Sequence, residues 1–506
     1  MTTPGGASRV VLDRRTRVLR RGGVVRVLGG DPVTLVTPSP AVAALLDGGA
    51  IPTGTTAGAA LARALTDRGM AHPEVGGPDA RVLTTVAVVI PVHDDADGVA
   101  AVVDALGSEL ARGLRVVVVD DGSTVPLAAP FRHTQPPPTQ PPPTQPPPTQ
   151  PPPACAVRVV RHDDPRGPAA ARNTGTAVAL SGGADVVVYL DADVIPEPGW
   201  LEPLLTHLDD PRVAAVAPRI VAAAPGRFWV RGYETARSAL DMGHEPARVR
   251  PRTRVAYVPS AALAVRPDRL PPAPDGSGRG PFDERLRVAE DVDLCWRTDR
   301  AGALIRYEPS SRVAHRHRTT VAPLLVRRAF YGTGAAPLAD RHGAAVAPAV
   351  AAPWSLAVAL GFWSGTPVGL LVAAGASARA WSRTRALTGD DRAAAGLVLR
   401  GSVASVRQLP EALLRPYWPL TALALLSTAH SRSPVARGLR RRVAAAAVAE
   451  GLWHWWAARE PGRAPVDEPL GHVILHRLDD LAYGVGVWRS AWAARSVGAL
   501  RPELKR

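Results

Sequence analysis

Cysteine is nearly absent: Cys155 and Cys295 are the only two in 506 residues, so no disulfide framework is expected. Lysine is scarcer still, with Lys505 alone, and the net charge of +15 rests on arginine. Aromatic residues make up 5% of the chain and no nucleic-acid motif appears, so that charge points to phosphate on a small donor or on lipid rather than to nucleic acid. The opening Met-Thr-Thr-Pro-Gly is not a basic stretch followed by an apolar one. No secretory signal is expected, and the expected location is the cytoplasm or the cytoplasmic face of the cell membrane. The length allows two to four domains, each with its own core.

What is present centres on Val186-Val187-Val188-Tyr189-Leu190-Asp191-Ala192-Asp193. An apolar, β-branched run without a polar break reads as a strand buried on both faces. Its two acids then sit at the carboxyl edge of a central strand, where open α/β sheets bind ligands. Two hard oxygen donors one residue apart suit one Mg²⁺ or Mn²⁺ that also holds a diphosphate.

Residues 1–84 read as a small unit: strand-like Val24 to Leu28 and Leu35-Val36, then helical spacing over Ser39 to Leu46 and Ala57 to Arg68. From residue 85 to 325 the texture is α/β. Strands ending in Pro91-Val92-His93-Asp94-Asp95 and Asp120-Asp121-Gly122-Ser123 flank a helix, the start of a doubly wound sheet. Thr-Gln-Pro-Pro-Pro repeated four times over 134–153 interrupts it; such a run favours polyproline II and reads as a loop insertion. The sheet resumes at Ala156. Gly167-Pro168 opens a helix carrying Arg172-Asn173, whose N-terminus suits an anion. Arg254 to Val265 reads as a strand pair, residues 266–280 as a long loop, and Glu290-Asp291-Val292-Asp293 as a helix start with more acids than capping needs.

These motifs, in this order, resemble the inverting family 2 glycosyltransferases with the GT-A fold, a Rossmann-like mixed sheet with helices on both faces. With its amino-terminal module, whose layout resembles the PqqD-like peptide-binding domains, and its hydrophobic carboxyl-terminal region, the whole chain further resembles the glycosyltransferases of mycofactocin systems. The resemblance implies roles by position. Pro91, His93 and Asp95 line the nucleotide-base pocket, although the family usually has Tyr-Asn-Glu where this chain has His93-Asp94-Asp95. Asp121 contacts base or ribose, and Arg172 and Asn173 face the diphosphate. Asp191 and Asp193 hold the metal with His315 or His317 as third ligand, His315 being preferred, and Asp291 is the catalytic base, kept ionised by the metal and Arg297. The implied reaction moves a hexose, glucose from UDP-glucose, to a hydroxyl of the peptide-derived precursor premycofactocin and its growing oligosaccharide. Two alternatives stand beside it: a polyprenyl-phosphate or cell-envelope polysaccharide glycosyltransferase, and a peptide-binding scaffold with a degenerate catalytic domain.

Residues 326–506 read as hydrophobic and basic helices. No charge falls between 344 and 378, which fits one kinked spanning helix, a re-entrant hairpin or a buried hairpin. Arginines and tryptophans meet over Arg432 to Arg442 and Trp453 to Arg459, the mixture expected at an anionic membrane surface.

Overall fold

The computed structural model describes residues 9–75, 82–127, 156–223, 229–459 and 468–505. The repeat at 134–153 and Cys155 lie outside the described residues. The amino-terminal unit contains β1 (Arg9–Leu12), β2 (Arg17–Arg21), β3 (Val24–Gly29), β4 (Thr34–Val36), the short α1 (Pro40–Ala43), β5 (Ala50–Pro52), α2 (Thr56–Thr66) and β6 (Ala71–Pro73). Two antiparallel sheets result, ordered β5-β1-β6 and β2-β3-β4. The Thr55 hydroxyl caps α2 by accepting from the Gly58 N–H at 3.0 Å, and Leu61 and Leu65 pack on Val10, Val27 and Met70. Only β3, β4 and the helices were legible beforehand; β1, β5 and β6 are three or four residues long, too short to show a period. This unit docks on the next through Arg212–Asp67 at 2.9 Å and Arg15–Glu245 at 2.9 Å.

The central unit holds β7 (Val86–Val92), α3 (Ala96–Ala105), α4 (Gly107–Ala111), β8 (Arg115–Asp121), β9 (Val157–His162), α5 (Pro168–Ser181), β10 (Val186–Leu190), β11 (Val194–Pro196), α6 (Leu201–Leu208), β12 (Val213–Ala222), α7 (Trp229–Arg237), β13 (Ala247–Arg248), β14 (Ala262–Val265), α8 (Glu290–Arg300) and β15 (Leu304–His315). One sheet runs β11-β15-β12-β14-β10-β7-β8-β9, with β13 on β15. It is mixed: β10-β7-β8-β9 is parallel, whereas β14 runs antiparallel to both β10 and β12. All five residues of β10 are buried. Alternate residues of the sheet feed separate clusters on its two faces: Val188 and Leu190 pack with Val99 and Leu204, Val187 and Tyr189 with Phe282 and Trp296. The expected strand pair over Arg254 to Val265 is one strand only. Before Ala262 the chain runs beside α8 instead, its carbonyls taken by Trp296 Nε1 at Ala256 O (2.8 Å) and Cys295 Sγ at Val258 O (3.7 Å).

The rest is helical: α9 (Val321–Gly332), α10 (Ala335–His342), a two-residue β16 (Val350–Ala351), α11 (Pro353–Ser364), α12 (Pro367–Thr388), α13 (Asp391–Leu414), α14 (Trp418–Ser427), α15 (Pro434–Ala457), α16 (Pro469–Ala493) and β17 (Glu503–Leu504), which pairs with β16. The single spanning helix considered for 344–378 is not formed. Gly365, left-handed at φ 63°, ends α11, and Thr366 and Pro367 start α12. The two form a hairpin so close that a Cβ on Gly361 would lie 2.3 Å from Gly369 O. Among the described residues no helix is long and apolar enough to cross a membrane.

These helices are tied to the central unit by buried charge. Arg328 of α9 meets Glu234 of α7 at 2.6 Å and Asp479 of α16 at 3.1 Å, and the Tyr233 hydroxyl donates to Asp479 at 2.7 Å. One turn away Glu450, His454 and His476 converge. Arg237 donates to His454 Nδ1 at 2.6 Å and Arg477 lies on Glu450, while His454 Nε2 faces Glu450 Oε1 at 2.9 Å.

Candidate active site

The carboxyl ends of β7, β8 and β10 put the signature acids on one edge, and each has a distinct environment. Asp191 follows β10 directly, its N–H held by Ala261 O at 2.9 Å. Its Oδ1 accepts from Arg172 Nη2 at 2.6 Å. Asp193 lies two residues on, and the antiparallel pairing of Val194 with His315 brings His315 Nε2 to 3.2 Å from Asp193 Oδ2. About a third of the Asp191 side chain and two fifths of the Asp193 side chain are exposed (32% and 41%), which leaves both open to a ligand. Burial pushes the Asp191 carboxyl up despite Arg172. For Asp193 burial also pushes up, but the hydrogen bond and charge of His315 outweigh it and hold the group below its ordinary value. His317 lines the same cleft as His315, and its buried Nε2 has no hydrogen-bond partner.

Arg172 is the hinge of the site. It is 3% exposed, and besides Asp191 it donates through Nη1 to Glu290 Oε1 at 2.9 Å. Its guanidinium lies 5.7 Å from the Phe282 ring centroid. One buried cation thus joins the acid after β10 to the first turn of α8. Its charge faces acids, which makes it an orienting group rather than one open to phosphate. Asn173 departs further from expectation. One residue on along α5 means a turn of about 100°, and its amide clamps the 282–284 loop: Nδ2 donates to Phe282 O at 2.8 Å and Oδ1 accepts from Phe282 N at 3.1 Å. Asn173 is 1% exposed and does not face the cleft.

Asp291 is the second residue of α8, two after Ala289, which sits at φ 66°. A left-handed non-glycine residue here is local strain of about 1 kcal/mol, and it aims the helix start at the cleft. Asp291 Oδ2 accepts from Ser260 N at 3.3 Å and Oδ1 from Val292 N at 2.7 Å. Burial, then the adjacent Glu290, pushes its carboxyl up to about 7. The expectation that Arg297 would keep it ionised is overturned: Arg297 Nε binds Asp293 Oδ2 at 2.7 Å and its other nitrogens cap Pro271, Pro272 and Pro281 carbonyls. Asp293 is a structural ion-pair partner, also held by His342 Nε2 at 2.9 Å.

On the opposite side, Pro91 is within β7 and pairs with Val119. His93 Nδ1 contacts Asp121 O at 2.9 Å, leaving the ring half-exposed. Asp95 caps α3 by accepting from Gly98 N at 2.9 Å and meets Arg316 Nη2 at 3.0 Å. Asp120 is fully buried against Arg161 and the Ser123 N–H (2.9 Å). Asp121 accepts from Arg166 N at 2.9 Å, Gly167 N at 2.7 Å and His162 Nδ1 at 2.7 Å. It therefore shapes the 165–167 turn before α5 rather than projecting toward a base or ribose. Sequence reasoning missed Glu290 as the partner of Arg172, Arg316 as the partner of Asp95, and Arg327, which lines one cleft with His315, Arg318 and Tyr331. Arginine abundance hid them, since no spacing singles out one arginine among so many.

The Glycosyl transferase family 2 model matches residues 87–267. The chain is 40% identical over 504 residues to the pre-mycofactocin glycosyltransferase of Mycobacterium tuberculosis (strain CDC 1551 / Oshkosh), covering 98% of this chain and 97% of that one. A shorter likeness, 28% over 178 residues and 32% of this chain, is to the human probable polypeptide N-acetylgalactosaminyltransferase 8, of which it covers 26%. Among solved structures, a mannosyltransferase from Pyrobaculum calidifontis in complex with GDP-Man and Mn²⁺ aligns over 83% of this chain and 91% of that one, at 17% identity and a TM-score of 0.43. With 40% identity over nearly its whole length to the Mycobacterium tuberculosis protein and the family 2 match over its acid-edged mixed sheet, the chain belongs to the pre-mycofactocin glycosyltransferase family and carries a family 2 glycosyltransferase domain.

Proposed function

We propose that the enzyme transfers glucose from UDP-glucose, with inversion, to a hydroxyl of premycofactocin and then to the sugar so added. One observation carries this reading: Arg172 bridges Asp191 at 2.6 Å and Glu290 at 2.9 Å, fixing a donor-side acid relative to the helix turn that bears Asp291. The acceptor O–H gives its proton to the Asp291 carboxylate while its oxygen forms a bond to the sugar C1 and the bond from C1 to the diphosphate breaks. A carboxyl with a pKa near 7 is both ionised enough and basic enough for that step at neutral pH.

By the chemistry of the donor set, two partly open carboxylates and an imidazole nitrogen, Asp191, Asp193 and His315 would hold Mg²⁺ or Mn²⁺, although the three are not drawn together as a cluster here and Asp191 commits one oxygen to Arg172. A bound divalent ion would supply charge to offset the leaving diphosphate. His93, Pro91 and Asp95 line the base pocket, and Asp121 acts on the donor through the 165–167 turn. The unit spanning residues 1–84 receives the peptide-derived part of the acceptor. Release of UDP from a panel of nucleotide sugars, with and without premycofactocin and with and without EDTA, tests the reading. Acceptor-dependent turnover of UDP-glucose that needs the ion supports it, whereas turnover only with a polyprenyl phosphate would favour the envelope alternative.

A second reading concerns place. Leu360, Phe362, Val368, Leu370, Leu371 and Val372 on the α11–α12 hairpin are each about half exposed or more (49–73%), apolar side chains of the kind that mark interaction surfaces. We propose that the hairpin lies on the cytoplasmic face of the membrane without crossing it. Flotation with anionic vesicles checks this, and Leu371→Glu is expected to abolish it.

A further inference from the structure

Two helices of the carboxyl-terminal region present metal-binding side chains to each other at helical spacing. α15 carries Glu450 and His454, and α16 carries His472 and His476; residues four apart share a helix face. One donor atom from each of Glu450, His454 and His476 lies within 4.8 Å of the others. His454 Nε2 is 2.9 Å from Glu450 Oε1, and His476 Nε2 is 3.0 Å from both Glu450 oxygens. Two more carboxylates stand beside them. Glu411 of α13 places Oε1 3.6 Å from His454 Nε2, and Asp480 places Oδ2 3.9 Å from His476 Nε2. Glu450 is buried and His476 fully so.

The approach of His454 to Glu450 is not a hydrogen bond. The atoms are 2.9 Å apart, yet the buried His454 Nε2 has no hydrogen-bond partner among the described residues. Ligands of one tetrahedral zinc ion stand side by side in this way, about 3.3 Å apart for bonds of about 2.0 Å. His472 gives a second sign. It is 3% exposed, neither ring nitrogen has a partner among the described residues, and its ring centroid lies 6.2 Å from that of His476. An outer shell is also in place, of the kind that orients metal ligands. The Tyr233 hydroxyl lies 3.4 Å from His476 Nδ1 and donates to Asp479, so its oxygen can accept the Nδ1 proton when Nε2 binds an ion. Arg477 holds Glu450 Oε2, which leaves Oε1 to the site. Arg237 donates to His454 Nδ1 at 2.6 Å; an ion on Nε2 moves the His454 proton to Nδ1, and Arg237 must then turn away.

We propose that Glu450, His454 and His476 bind one Zn²⁺ ion, a site on different elements from Asp191 and Asp193. Two imidazoles and a carboxylate are a zinc-type set, whereas Mg²⁺ takes oxygen donors. The ion clasps α15 to α16 beside Tyr233 of α7 and so fixes the helical region on the catalytic unit.

The test uses the untagged full-length chain carrying Asp193→Ala, so that the acid pair at the sheet edge does not take up the metal, with Zn²⁺ as the probe. After treatment with EDTA and its removal, Zn²⁺ is titrated by calorimetry, and melting curves are recorded with and without it. One equivalent per chain and a higher Tm are expected. His454→Ala and His476→Ala, each added singly, should weaken binding at least tenfold and abolish the rise in Tm. Melting indifferent to Zn²⁺, or no stoichiometric uptake by the Asp193→Ala chain, would show an ion-pair network only and overturn the site. Uptake that survives both histidine substitutions would overturn it as well. The first of these readings leaves every proposed ligand intact, so it holds even if the histidine variants fold poorly.

Discussion

Replacing Asp291 by Asn is the perturbation with the most consequences, because the carboxylate combines an exceptional environment with the chemical step. Asn keeps the shape, and its Oδ can still accept from Ser260 N or Val292 N, so folding should survive. What disappears is the proton acceptor. A positioned general base contributes about 10²–10⁴ in rate, or about 3–5 kcal/mol of barrier, and kcat should fall by that factor with little change in either KM. The pH profile gives a second, independent number. With the carboxyl pushed up to about 7, kcat/KM should rise tenfold per pH unit below that value and level off above it. Stability should run the other way. The folded group holds its proton up to about pH 7, whereas the unfolded one gives it up near the ordinary carboxyl value of 3.8; stability contributed by this site therefore declines as pH rises between those limits, by at most about 4 kcal/mol. Asp291→Asn lacks that decline and should melt higher than wild type at pH 8. UDP-release kinetics from pH 5 to 9 and melting curves over the same range measure both. A variant with more than a tenth of wild-type turnover, or a flat wild-type profile between pH 6 and 8, would refute the assignment.

Other perturbations separate orientation from packing. Glu290→Gln removes one anchor of Arg172 and should lower kcat at least tenfold through misplacement of Asp191, with little change in melting; normal kcat would show that the bridge is only structural. Asp193→Ala should abolish the dependence of turnover on added Mg²⁺ or Mn²⁺ together with most activity, read by UDP release against metal concentration. Asn173→Ala should cost about 2 kcal/mol of stability, since it leaves Phe282 N–H and C=O without their buried partner; denaturant unfolding checks it. Asp479→Ala removes one of the two carboxylates on buried Arg328 and the short acceptor of the Tyr233 hydroxyl, and should destabilise by about 3–5 kcal/mol, seen as a drop in Tm.

The chain by itself determined the catalytic sheet and the kind of chemistry at its edge. Long β-branched runs such as 186–190 and 115–119 can hardly be anything but buried strands, and acids placed at their ends must emerge at the carboxyl edge whatever the packing around them. The α8 start at Glu290 was legible for the same reason, from its excess of acids. What only the tertiary structure decided is how those acids divide the work. Arg172 and Asn173 are adjacent in sequence, yet a helical step turns one toward Asp191 and the other into the Phe282 loop. Arg297 follows Asp293 by four residues and closes on it rather than on Asp291, because i,i+4 residues share a helix face. Asp291 is left without that cation, and burial raises its pKa. The uncharged run over 344–378 satisfied a hydropathy reading, but one left-handed glycine and a helix-starting Thr-Pro fold it into a hairpin. Pairing partners, burial and ring convergence depend on which distant segments meet, and no local period records that.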